Sequence, residues 1–174
     1  MAGQCVILMG VSGTGKSTVG EALARAIQAK FIDGDDLHPR QNISKMASGQ
    51  ALSDDDRLPW LGRISDVIFS IEQKNESGVL VCSALKKRYR DLLRTGNNNV
   101  RFVWLKGDYD VVLNRMRQRK GHFMPEALLK SQFAALEAPG HDEPDIIQVD
   151  ITPTVDLIVS RSLALLASTH PENN

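Results

Sequence analysis

Residues 10–17 read GVSGTGKS and stand between an apolar run, Cys5 to Gly10, and a stretch whose apolar residues recur at helical spacing. Strand, glycine-rich loop with lysine and serine, then helix is the phosphate-loop pattern in the context it requires. Glycines at 10, 13 and 15 permit torsions closed to residues with a Cβ, so successive N–H groups can turn inward around a phosphate. A helix starting near Lys16 adds the positive end of its dipole at the same point. Lys16 is then placed to reach the β- and γ-phosphates and Ser17 to ligate Mg²⁺. Val11, Ser12, Thr14 and Thr18 complete the expected nucleotide-phosphate site, in a loop that GTPases, ATPases and kinases share.

The rest of the chain alternates short apolar runs with amphipathic stretches, the signature of a parallel α/β sheet with crossover helices. Five runs read as strands: Cys5 to Gly10, Lys30 to Asp33, Val79 to Ala84, Val100 to Gly107 and Asp145 to Ile151. They are nearly continuous in Val, Ile and Leu, as strands covered on both faces must be. Helices are expected at Lys16 to Gln28, Pro59 to Lys74, Lys87 to Arg94, Asp108 to Lys120, Pro125 to Leu136 and Thr154 to Leu166. Ser53 to Asp56 supply capping groups upstream of the second of these. A single domain over 1–168 is expected, with a disordered tail at 169–174.

The charge balance is even, with 21 basic and 21 acidic side chains, so no general field draws the chain to nucleic acid or an anionic membrane. Phosphate recognition must therefore be local. Cys5 and Cys82 each lie in an apolar run and read as reduced core thiols. The longest unbroken apolar run, Cys5 to Met9, is too short to span a bilayer, and the expectation is a cytoplasmic protein.

Short length, no guanine-recognition motif and no switch-like glutamine favour a small-molecule kinase over a GTPase. The second strand ends in DGDDLHP, Asp33 to Pro39. Ligands of parallel sheets bind at the carboxyl ends of strands, which sets these carboxylates beside the phosphate loop. One can hold Mg²⁺, for which Asp33 is the candidate. Another can take the proton of an attacking hydroxyl, for which Asp35 is the candidate. His38 reads either as an acceptor ligand or as a structural residue at a helix entrance. After the third strand come Lys86, Lys87, Arg88 and Arg90. With Arg57 they are the candidate partners of an anionic acceptor, some of them being a plain exposed basic face. RMRQRKGHFMP, Arg115 to Pro125, reads as part of a lid over about 115–137. Its arginines, Arg115 and Arg119 among them, would stabilise charge on a transferring phosphoryl group and exclude water. The plainer reading is a basic helix end complementing the dipole.

With these segments placed, the chain resembles the gluconokinases along about Val6 to Asp150. The stretches that carry the resemblance are MGVSGTGKS, FIDGDDLHPRQNISKMASGQALSDDDRLPWL, VCSALKKRYRDLLR, WLKGDYD and RKGHFMPEALLKSQFAALE. The first is generic to P-loop kinases, and the second and third are specific. The resemblance implies a P-loop kinase fold, a five-stranded parallel sheet in the order 2-3-1-4-5, and a cytoplasmic homodimer. It also implies phosphoryl transfer from ATP to the 6-hydroxyl of D-gluconate. By similarity to the shikimate kinases, Asp33 would lie near Mg²⁺ while Asp35 binds the acceptor and acts as base. CSALKK replaces a glycine-rich stretch of those enzymes, so Lys86 needs its own test. The rival readings are a kinase for another small acceptor, such as shikimate or a nucleoside monophosphate, and an ATPase switch acting on a protein partner.

Overall fold

The computed structural model describes residues 3–119 and 125–168. Five strands, β1 (Gln4–Met9), β2 (Lys30–Asp33), β3 (Ser77–Val81), β4 (Val100–Lys106) and β5 (Ile146–Asp150), form one sheet in the order β2-β3-β1-β4-β5. Every pairing is parallel, as the sequence predicts. Seven helices are described: α1 (Lys16–Ile27), α2 (Arg40–Ala47), α3 (Asp54–Gln73), α4 (Lys87–Arg94), α5 (Tyr109–Gln118), α6 (Glu126–Ala135) and α7 (Val155–Ser168). None of them is long and apolar enough to cross a membrane.

Strand periodicity divides the interior in two. Val6, Leu8, Val79, Val81, Val103, Leu105, Ile147 and Val149 point to a face covered by α1, α5, α6 and α7. Cys5, Ile7, Met9, Leu80, Phe102 and Trp104 point to the other, covered by α3 and α4. A period of two in side-chain direction yields two buried faces from one apolar run. Cys5 and Cys82 are both buried free thiols, pushed up to about 12, chiefly by desolvation.

The structure moves several boundaries. β3 starts earlier than expected, because Ser77 and Gly78 pair with β1; its paired residues end at Val81, and Cys82 and Ser83 keep bonds to Leu8 and Gly10 before the chain turns at Ala84, φ 45°. α3 begins at Asp54 rather than Pro59. Ser53 caps it, and Asp56 returns the bond to the Ser53 backbone in a capping box. Pro59 thus lies inside the helix and removes the bond that Asp55 would have accepted, a cost of about 3 kcal/mol. Burial of Trp60, Leu61, Ile64, Ile68 and Ile71, roughly 1.5–3 kcal/mol each, outweighs it. Helix α2 follows the His38–Pro39 pair that the sequence offers as a helix entrance, and the turn at Gly34–Leu37 leads into it. α5 is described to Gln118; Lys120 and lid residues 121–124 lie outside the described residues, as does the 169–174 tail.

Candidate active site

β1 delivers the chain into the loop at the C-terminal edge of the sheet. Gly10, Gly13 and Gly15 all take positive φ, at 140°, 82° and 87°. A Cβ on Gly10 would also come within 2.9 Å of the Leu105 carbonyl oxygen, so only glycine fits. Thr14 is buried, its hydroxyl donating to the Val11 carbonyl at 3.1 Å. Lys16 folds back across the loop and donates from Nζ to the carbonyls of Gly10 and Val11, both at 2.9 Å. Desolvation brings its ammonium down to about 8, opposed by the negative charge of Asp35, and also of Asp33. The first turn of α1 has no side-chain cap and no acidic residue. Its free N–H groups and dipole are therefore unopposed at the position an anion would occupy.

The loop opens on a cavity of about 500 Å³ lined by Ser12, Gly13, Gly15, Lys16, Ser17, Thr18, Asp35, Val81, Met116 and Arg119. The phosphate loop, the candidate base and one candidate arginine thus share one space, as the expected chemistry requires. Asp33 caps the turn after β2, its Oδ1 accepting from the Asp35 N–H at 3.0 Å. Desolvation and the like charge of Asp33 hold Asp35 above the usual carboxylate range, while His38 and Lys16 pull it back. Its side chain is 81% exposed, so water screens that push.

His38 is buried, stacked on Trp60 with centroids 4.2 Å apart and planes 15° apart. The Asn42 amide nitrogen lies 2.9 Å from the Asp56 carbonyl and 3.2 Å from His38 Nδ1. The first contact fixes which end of the amide faces inward, so Nδ1 accepts and the proton of the neutral ring sits on Nε2. Nε2 faces Asp35 Oδ1 at 3.9 Å. Burial lowers the His38 pKa against the pull of Asp35, in keeping with a neutral imidazole.

The expected cations separate. Lys86 Nζ contacts both oxygens of Asp54, at 3.2 and 3.3 Å, and Arg88 and the Tyr89 hydroxyl bind the same carboxylate. Arg57 donates to the Leu52 carbonyl at 2.8 Å. Arg57, Lys86 and Arg88 all lie within 6 Å of the Tyr89 ring centre, at 5.9, 5.7 and 5.6 Å, within cation–π range. Arg115 is tied to the Ile151 carbonyl at 2.5 Å and does not line the cavity.

Arg90 is the correction. Its side chain is wholly buried, with bonds to Glu143 at 2.7 and 2.7 Å, to the Ala84 carbonyl at 2.8 Å and to the Glu137 carbonyl at 3.0 Å. A guanidinium so engaged braces the fold and is not presented to an acceptor. Arg90 and Arg94 together hold Glu143 down to about 2. Arg90→Met is expected to cost about 3 kcal/mol, because it takes from the buried Glu143 carboxylate one of its two guanidinium partners, leaving only Arg94, and removes the bonds to the Ala84 and Glu137 carbonyls. Urea titration checks this as a lower midpoint at constant slope. Removing both charges, as in Arg90→Met with Glu143→Leu, should recover much of the loss.

Gln132 escaped the sequence reading. Its Oε1 accepts from the Ser12 N–H at 2.7 Å and its Nε2 donates to Ser12 Oγ at 3.1 Å. A lone glutamine 120 residues from its partner leaves no local signal.

The shikimate kinase family model matches residues 12–150. The chain is 60% identical over 151 residues to the thermosensitive gluconokinase of Escherichia coli K12, covering 87% of this chain and 81% of that one. The chain belongs to the gluconokinase family. To the thermoresistant gluconokinase of the same organism this gluconokinase-family chain is 50% identical, over 92% of its own length and 91% of the relative's. Among solved structures it resembles a gluconokinase from Sinorhizobium meliloti 1021, with 45% identity, TM-score 0.85 and coverage of 95% and 92%. Shikimate kinase from Aquifex aeolicus, at 17% identity and TM-score 0.60, with coverage of 95% and 97%, shares the fold.

Proposed function

We propose that the chain transfers the γ-phosphoryl group of ATP to the 6-hydroxyl of D-gluconate, releasing 6-phospho-D-gluconate and ADP. The observation that carries this is the single cavity lined jointly by the phosphate loop and Asp35, in a chain of the gluconokinase family. Asp35 takes the proton of the attacking hydroxyl. A carboxylate with a raised pKa is a stronger base than an ordinary one. Lys16 and Arg119 face the charge that accumulates on the transferring group, and the loop amides orient it.

Ser17 in the first turn of α1, with Asp33 across from Lys16, offers only oxygen donors, which suits Mg²⁺. Among the described residues no cluster of three or more His, Cys, Asp or Glu could hold a metal. That agrees with an ion held by one or two protein oxygens and the nucleotide's phosphates. When bound, Mg²⁺ supplies charge neutralisation and alignment of those phosphates. The gluconate carboxylate is assigned to Lys86 and Arg57, with His38 Nε2–H beside the hydroxyls. The cytoplasmic homodimer rests on the family resemblance alone, and light scattering of the purified protein tests its subunit count.

Purified protein with Mg-ATP should release ADP faster when gluconate is added and respond little to shikimate. ADP release indifferent to gluconate overturns the reading. Asp54 holds Lys86 in competition with an incoming carboxylate, so Asp54→Asn is expected to lower KM for gluconate by about 2- to 5-fold, the scale of one partly exposed ion pair. An unchanged or higher KM would remove Lys86 from the acceptor site.

A further inference from the structure

The clamp between Gln132 and Ser12 belongs to a longer connection. α6 ends at Ala135, with the Leu136 N–H bonded to the Gln132 carbonyl at 2.9 Å. The next residue, Glu137, is fastened at three points, one on the segment between β3 and α4 and two on the first turn of α4. Its N–H donates to the Leu85 carbonyl at 2.8 Å. Its Oε1 accepts from the Lys87 N–H at 3.1 Å, and its carbonyl accepts from the buried Arg90 at 3.0 Å. Buried Leu129, one turn earlier, seats α6 in the core. The last turn of α6 therefore touches the phosphate loop through Gln132 and leads, at Glu137, onto the segment that carries Lys86.

We propose that Gln132 is a positioning residue for phosphoryl transfer, coupling the acceptor-side segment around Lys86 to the phosphate loop through α6. The inference rests on the proposed function, in which the loop holds the transferred group and Lys86 faces the acceptor. Gln132 engages both the backbone N–H and the hydroxyl of Ser12, so the loop keeps one conformation and its later amides stay aimed into the cavity. Because Glu137, just beyond α6, is fastened to residues 85, 87 and 90, donor and acceptor keep a fixed separation. Misplacement of about 1 Å between reacting groups costs on the order of 100-fold in rate, which makes such a link consequential.

The test compares Gln132→Met, Ser12→Ala and the double variant with the parent, measuring kcat and KM for gluconate at saturating Mg-ATP together with Tm. Gln132→Met keeps the length of the side chain and deletes both bonds. It is expected to lower kcat about tenfold, leave KM for gluconate within about twofold and leave Tm nearly unchanged. Ser12→Ala, which deletes one of the two bonds, should lower kcat about threefold, and the double variant should be no worse than Gln132→Met. Single effects that multiply in the double variant overturn the proposal, as does a Gln132→Met kcat within twofold of the parent. So does a loss of rate that only follows a fall in Tm; Ser12→Ala still decides the matter if Gln132→Met does not fold. A parent enzyme whose ADP release ignores gluconate would instead overturn the underlying activity, and the proposal with it.

Discussion

Asp35→Asn is expected to lower kcat for gluconate phosphorylation by about 10²- to 10⁴-fold, the range of a positioned general base, while KM for ATP changes little. Asparagine keeps the shape of the side chain, but its neutral amide is far too weak a base to take the proton. In the parent, activity should fall as pH drops through the raised pKa of Asp35, because the base works only when deprotonated. The residual activity of the variant should lack that acid limb. Steady-state kinetics on both proteins across acidic pH decide the matter, and a variant with parental kcat removes Asp35 from the role of base.

Lys16→Ala is expected to cost about 10²- to 10³-fold in kcat, the scale of deleting one donor aimed at developing charge. The ammonium also has a pH signature of its own. A lysine brought down to about 8 is charged below that value and neutral above it, so kcat/KM for ATP should decline as pH rises through about 8. Phosphate favours the charged form, so the corresponding limb of kcat should lie at higher pH. An alkaline limb that persists unchanged in Lys16→Arg would assign it to another group.

The sheet and phosphate loop were legible because their signals are local. Residues 10–17 carry the loop in eight consecutive positions, and strands buried on both faces leave apolar runs that cannot be mistaken for exposed loops. Asp35 was legible by one further step, since the end of a parallel strand is where ligands gather. Arg90 shows the limit. Its neighbours in sequence mark it as one of several surface cations, and only Glu143, 53 residues away, turns it into an interior brace. Gln132 fails to announce itself for the same reason. Pro59 misled by a different route, since proline favours the first turn of a helix. Here the Ser53 and Asp56 capping box starts the helix earlier, and core burial holds the proline inside it.

Both tryptophans of the chain, Trp60 and Trp104, pack on the sheet face that carries α3 and α4. Intrinsic emission is therefore a one-sided optical gauge: melting of the α1 and α7 layer passes without direct contact with an indole. Trp60 also stacks on the imidazole beside Asp35, so a change in the charge or neighbours of that ring reaches a fluorophore the protein already carries. The proposed acceptor site thus comes with its own dye.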